Sequence, residues 1–217
     1  MTFTFVIAIV FGSIAALALL AYIPRIIGWF GAIRPQKKLT NEVQNKIALI
    51  IPARDESKVI GTLLASIENQ TYPKEHFDFF TVVKHEDDPT IDLTKNAGGK
   101  SYVNKSQKCK GDALDFCMKS ILAETPDLYD AFLIVDADCV LDADFLTEMN
   151  AGLASGAQIV QGKRLIKNRL LKKANNLVTD CNGVIWTIID QIGNRFKSDH
   201  HITGMTIGTG IMLRSDL

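Results

Sequence analysis

Phe132-Leu133-Ile134-Val135-Asp136-Ala137-Asp138-Cys139-Val140 is the stretch on which the reading of the fold turns. An unbroken apolar run enters two aspartates separated by one alanine. A short run without polar alternation is the pattern of a strand covered on both faces, the habit of parallel sheets. A carboxylate taken out of water is costly unless something compensates it. Two acids at the end of such a strand therefore ask for a cation, and oxygen donors suit a hard divalent ion, Mg2+ or Mn2+. The alternative is a solvated Asp-rich turn.

Outward from this strand, the pattern alternates. Residues 47–51 form a short apolar strand that runs into Pro52-Ala53-Arg54-Asp55-Glu56. Val59, Ile60, Leu63, Leu64 and Ile67 recur at helical spacing and predict a helix over 57–69. Thr71-Tyr72-Pro73 breaks it, and 79–83 is a second strand, followed by an acidic loop at 85–89. A helix over 90–97 is stopped by Gly98-Gly99, and Tyr102-Val103 is a third strand. Lys110-Gly111-Asp112 opens a helix whose apolar face is Leu114, Cys117, Met118, Ile121 and Leu122. After the strand that ends at Asp136, Asp142 caps a helix through Phe145, Met149 and Leu153. A further strand lies at 158–162, then a mixed, partly helical region at 163–201, a Gly-rich stretch at 204–210 and Ile211-Met212-Leu213-Arg214.

Strands alternating with helices predict an α/β protein with a mostly parallel sheet. Ligands of such sheets bind beyond the carboxyl ends of the strands. Pro52-Ala53-Arg54, His85-Glu86-Asp87 and Asp136-Ala137-Asp138 each follow a predicted strand, so they are expected to converge on one crevice.

The N-terminus differs in kind. Residues 3–23 carry no charge; at 1.5 Å per residue such a stretch crosses a hydrocarbon core of about 30 Å. No basic residue precedes it, whereas Arg25, Arg34, Lys37 and Lys38 come after it. That is the wrong flank for a cleaved signal, and by the positive-inside tendency it places the chain beyond the helix in the cytoplasm. Tyr22, Trp29 and Phe30 stand where interfacial aromatics lie, and residues 25–33 could form a short surface helix. The alternative is a buried core helix. Pro35 stops any helix and opens a polar linker. The expected organisation is a transmembrane anchor with its interfacial segment at 1–34, a linker at 35–45 and one α/β domain at 46–217.

Composition excludes little but usefully. Lys+Arg and Asp+Glu both number 24, and a zero net charge speaks against a nucleic-acid partner. The four cysteines form no C-x-x-C pair and no zinc spacing, which suits reduced thiols in a reducing compartment. Adjacent His200 and His201 lack metal-ligand spacing and suit a loop.

Three pieces carry candidate chemistry. Asp136 and Asp138 are the metal pair. At Lys110-Gly111-Asp112, Gly111 permits close backbone approach, the helix N-terminus favours anions and Lys110 could meet a phosphate; plain helix capping by Asp112 explains the same residues equally well. Arg54 and Glu56 could read a nucleotide, or belong to a turn with a capping acid. No G-x-G-x-x-G follows the first strand and no P-loop exists.

In their order and spacing, Ile50-Ile51-Pro52-Ala53-Arg54-Asp55-Glu56, Ser66 through Pro73, Lys110-Gly111-Asp112-Ala113-Leu114, Val135-Asp136-Ala137-Asp138, Val160 through Arg164 and Gly208 through Arg214 resemble family 2 glycosyltransferases of the GT-A fold. The resemblance covers about residues 47–217. It implies a nucleotide-diphospho-sugar transferase sheet, Rossmann-like and flanked by helices. It also implies transfer with inversion from a nucleotide-sugar donor, commonly UDP-linked, to a carbohydrate or lipid-linked acceptor, with a membrane as partner and a single-pass anchor in a bacterial plasma membrane. Carried over by position, Pro52, Ala53, Arg54 and Glu56 line the nucleotide pocket. Lys110, Asp112, Asp136 and Ala137 complete it, Asp136 and Asp138 hold Mg2+ or Mn2+, and Gly208, Thr209 and Gly210 lie toward the acceptor.

Two departures accompany the resemblance. The loop after the second strand reads Lys84-His85-Glu86-Asp87-Asp88-Pro89, with Glu86 or Asp87 as the base- or ribose-contacting acid. The family's catalytic base is expected beyond Leu217, so the catalytic residue is unknown and the chain is expected to bind donor better than it transfers sugar. A non-catalytic GT-A-like module scaffolding a membrane partner is the alternative. A nucleotidyltransferase would want a glycine-rich loop where Pro52 through Glu56 has none.

Overall fold

The computed structural model describes residues 2–33, 38–40, 42–167, 176–200 and 204–217. Pro35, Arg34, Lys37, His201 and part of the expected linker lie outside them. The chain divides into two compact units, one of Met1–Lys37 with Arg164–Met205 and one of Lys38–Lys163 with Thr206–Leu217.

The second unit is built on six strands: β1 (Ile47–Pro52), β2 (Phe77–Val83), β3 (Lys100–Val103), β4 (Ala131–Ile134), β5 (Ile159–Gln161) and β6 (Ile211–Arg214), in the order β3-β2-β1-β4-β6-β5. β1 pairs parallel with β2 and β4, and β2 with β3. β6 runs antiparallel to both β4 and β5. The carboxyl ends of β1, β2, β3, β4 and β5 and the amino end of β6 thus share one edge. This bears out the α/β, mostly parallel sheet with helices against it.

β1 shows why an apolar run reads as a central strand. Ile47, Leu49 and Ile51 point to one face and Ala48 and Ile50 to the other, all fully buried. The first face packs with Leu133 and Val135 against α2 (Ile60–Glu68) and Met149 and Leu153 of a later helix, Phe145–Ala154. The second packs with Phe80, Val82 and Phe132 against Ala113, Cys117 and Ile121 of a helix at Lys110–Glu124. In chain order these helices are α2, α3 (Thr90–Asn96), α4 (Lys110–Glu124) and α5 (Phe145–Ala154). On α4 the buried stripe is Ala113, Cys117 and Ile121; Leu122, expected in it, is exposed. Its neighbours Leu114 and Met118 pack only at the cluster's margin. A helix turns 100° per residue, and Leu122 lies one step past the stripe that Ile121 ends.

The stretch from Ser66 to Pro73 proves structural. Buried Gln70 donates Nε2 to the carbonyls of Ser66 (3.0 Å) and Asp142 (2.7 Å) and accepts from the Leu146 amide (3.0 Å). One side chain so ties the end of α2 to the start of α5. Asp142 does not cap α5 directly: its carbonyl accepts the Phe145 amide at 3.0 Å and its carboxylate the Asp144 amide at 3.2 Å, shaping the turn ahead of the helix.

The first unit holds α1 (Thr2–Ile33), α6 (Leu177–Thr187), a π-helical segment Ile188–Asn194 and α7 (Arg195–Asp199). α1 is one continuous helix through Pro24, so 25–33 continues it rather than forming a separate helix. Its stretch Phe3–Phe30 is long and apolar enough to cross a membrane, and the most apolar part of it is unburied. α1 packs on the π-helical segment and α7.

Candidate functional site

The edge where the strands end assembles the sequence's candidate pieces. Lys110, the first residue of α4, donates its ammonium to Asp136 Oδ1 and to the Gly208 carbonyl. Asp136 follows β4, and its amide donates to Thr209 Oγ1 at 2.9 Å. Three segments far apart in the chain therefore meet at one ammonium–carboxylate pair. Both side chains are about 40% exposed, 39% for Lys110 and 40% for Asp136, so the pair is a geometric lock more than a source of stability.

This corrects the premise of two buried acids. Asp136 is half-exposed, Asp138 is exposed and only Ala137 between them is buried. The apolar run ends at Val135, and the chain turns there: the Cys139 amide bonds the Asp136 carbonyl at 3.0 Å. The cation that answers Asp136 inside the protein is Lys110. Asp138 Oδ1 lies 3.9 Å from Cys139 Sγ. Burial of Cys139 pushes its thiol pKa up.

The Gly208–Gly210 loop is held by a residue that the sequence reading placed in the matching Val160–Arg164 piece but gave no role. Gln161, the last residue of β5, donates Nε2 to the carbonyls of Thr209 (3.0 Å) and Gly210 (3.1 Å) and accepts the Ile207 amide (3.0 Å). Gly210 has φ +62°, a left-handed backbone that favours glycine, and its amide bonds the Ile134 carbonyl at 2.8 Å. A Cβ on Gly162 would fall 2.6 Å from the Phe145 ring, so this corner tolerates only glycine. A Gln after a short apolar strand was visible in the sequence, but nothing there said which loop it would meet.

At the end of β1, the Ala53 amide bonds the Val82 carbonyl at 2.9 Å and Ala53 is fully buried; Pro52 is partly exposed and Arg54 exposed. Arg54 Nε lies 3.5 Å from Asp55 Oδ2. The Glu56 carbonyl starts α2 by accepting from Ile60 at 3.1 Å.

In the loop after β2, Glu86 pairs with Lys105 at 2.9 Å on the surface, and both Glu86 and Asp87 line an open hollow of ≈ 410 Å³ with Lys84, His85 and Lys105. The acid built into the fold is Asp88. It is buried, accepts the Thr90 amide at 2.9 Å and faces the Asp55 amide at 3.4 Å, where Asp55 has φ +60°. The signal was Asp-Pro, a turn starter. Asp112 accepts from the Lys108 (2.9 Å) and Cys109 (3.3 Å) amides in a capping box. The Lys108 amide leads in holding its pKa below the usual carboxylate range. Of the two readings of Asp112, the structure displays the capping one. At Gly111 a Cβ would meet only Cys109 Sγ, at 3.7 Å, so packing does not demand the glycine. His200 is exposed at the end of α7.

Among the described residues, no group of three His, Cys, Asp or Glu side chains could hold a metal by itself. Mg2+ and Mn2+ do not need one: they bind through one or two carboxylates, with water and substrate phosphates completing the shell. The oxygen-only pair Asp136 and Asp138, at an open edge beside a lysine, fits that mode.

The chain matches the family described as glycosyltransferase like family 2 over residues 44–200. Among solved structures, the mannosyltransferase PcManGT from Pyrobaculum calidifontis, in complex with GDP-Man and Mn2+, superposes with a TM-score of 0.65 at 16% identity, over 93% of this chain and 55% of that one. Mannosyl-3-phosphoglycerate synthase from Rubrobacter xylanophilus gives a TM-score of 0.50 at 12% identity, over 79% of this chain and 54% of that one. These likenesses show the GT-A fold, and the chain spans about half the length of either structure. No curated protein sequence matches it.

Proposed function

Because the chain belongs to glycosyltransferase-like family 2, we propose that the carboxyl edge of its sheet is a donor site for a nucleotide-diphosphate sugar, a UDP-sugar in the first instance. The sugar passes with inversion to a carbohydrate or lipid-linked acceptor at the cytoplasmic face of a membrane in which α1 is the anchor. The observation that carries the reading is the meeting of Lys110, Asp136 and the Gly208–Gly210 loop.

In this reading Asp136 and Asp138 hold Mg2+ or Mn2+. When bound, the ion neutralises charge on the diphosphate leaving group and orients it. Lys110, already held at the same place, offers a point charge to the phosphates. Pro52 and Arg54 form the wall beside the base with Ala53 buried behind them, and Asp88 sets that wall by fixing the turn at Asp55. Glu86 and Asp87, exposed, and Glu56, half-buried, offer contacts to base or ribose. Asp112 works through the helix terminus it caps. Thr209 and Gly210, with Gly208, face the acceptor.

Calorimetric titration with UDP and Mn2+ tests the donor half without requiring transfer. Binding that needs the metal and disappears in Asp138→Ala is the expected result. No binding, or binding indifferent to that substitution, would overturn the assignment. GDP in place of UDP decides between the two nucleotides.

A further inference from the structure

α6 leaves its apolar arc exposed. Asn176 caps it, its side chain accepting the Thr179 amide at 2.9 Å. At 3.6 residues per turn, Leu177, Val178, Cys181, Val184, Ile185 and Ile188 fall on one arc, and every one is exposed. The opposite arc faces residues 164–166 of the same unit, although no α6 residue is buried and Trp186 on that arc is 39% exposed. A Cβ on Gly183 would fall 2.2 Å from Ile166 Cδ1. The Arg164 guanidinium lies 3.8 Å from the centre of the Trp186 ring and pairs with Asp190 at 2.8 Å, the two charged side chains only 16% and 9% exposed. A helix in water turns its apolar arc inward and its charges outward. α6 instead leaves its apolar arc uncovered by the described residues.

We propose that α6 lies in the surface of a lipid bilayer, its apolar arc in the acyl region. The occupant is identified by continuity. α6 runs directly into the π-helical segment Ile188–Asn194, and that segment and α7 pack on α1, whose most apolar part is unburied. The proposal thus rests on the reading of α1 as a membrane helix. One covalent step from the bilayer, an apolar arc this long meets lipid, as amphipathic surface helices do. The Arg164–Asp190 pair ties the π-helical segment that continues α6 to residue 164 of the same unit.

Cys181 sits in the middle of the exposed arc and is a ready label site. In the full chain with Cys109→Ser and Cys139→Ser, a nitroxide on Cys181 is measured in vesicles of phosphatidylcholine and phosphatidylglycerol. Collisions with oxygen and with a water-soluble nickel chelate report its depth. A control adds Ala16→Cys and Cys181→Ser, which moves the label to α1. The expected result is a rise in oxygen collisions and a loss of nickel collisions at both positions on going from detergent-free water to vesicles, deeper at 16 than at 181. A lipid signature at 16 with water-like nickel collisions at 181 overturns the proposal and leaves α1 intact. Shielding at 181 from both reagents overturns it in favour of protein contact, by a second copy or another chain. Water-like collisions at 16 remove the reading of α1, and the proposal with it. Val184→Glu, which puts a charge in the arc without touching the opposite side, is expected to return nickel collisions to the label at 181; no change there also counts against the proposal.

Discussion

The two units solve the same problem in opposite ways. Around β1 and β4, apolar side chains from both faces of a sheet are buried to completion, and ionisable groups stand at the rim, where Lys110 and Asp136 remain about 40% exposed. In α6 the apolar arc is outside, and the largely covered ion pair, Arg164 with Asp190, lies in the segments on either side of it. The lesson is that apolar periodicity identifies a helix face but does not say what covers it. For 47–51 the cover is the protein's own helices; for 177–188 nothing in the described residues supplies it.

The comparison can be broken most forcefully at the ion pair. Asp190→Ala leaves Arg164 buried without its partner, and such losses cost about 3–5 kcal/mol. Denaturant unfolding in detergent should show the first unit losing most of its stability. A change within experimental error would mean that the pair is not what holds the segment that continues α6. Next come the apolar positions. Leu133→Ala, fully buried in β4, should cost roughly 2–5 kcal/mol. Val184→Ala, in detergent where its arc is solvated either way, should stay within about 0.5 kcal/mol. Equal effects would erase the distinction between the units.

A smaller effect sharpens the polar rim. Gln161→Ala removes three hydrogen bonds from the Ile207–Gly210 stretch, and at about 1 kcal/mol net or somewhat more it should weaken metal-dependent UDP binding by roughly ten-fold. Thermal stability should fall only slightly, since the loop is at the surface. Loss of fold instead of affinity would make Gln161 a core residue. Smallest is the pH effect at Asp112. Its folded pKa is depressed, chiefly by the Lys108 amide, so its stabilisation is present above about pH 4, where the unfolded carboxyl is ionised. It is lost as pH falls through the lower folded value. Asp112→Asn should unfold slightly earlier than the parent at neutral pH, and the two melting curves should converge on acidification.

Most of the sheet was legible because β strands covered on both faces leave an unmistakable apolar run, as in 47–51 and 131–135. α2 was legible because Ile60, Leu63, Leu64 and Ile67 keep helical spacing. The candidate site was legible as a list of segments: three of them follow a strand directly, Lys110 opens a helix and Gly208–Gly210 precedes β6. Its interior was not. The pairing of Lys110 with Asp136 joins residues 26 apart, and Gln161 reaches Ile207 across 46; neither partner is marked by spacing. Asp88 was passed over for Glu86 and Asp87 because three acids in a row look alike until one is buried.

By itself the sequence determined the alternation of strand and helix, the family and the edge on which the candidate segments converge, because those depend on local patterning and the rules of parallel sheets. Only the tertiary structure decided that Asp136 is answered by a lysine, that Gln161 shapes the glycine loop and that α6 turns its apolar arc outward. Each of those is a choice of partner, and partners are set by long-range packing, which no local period records.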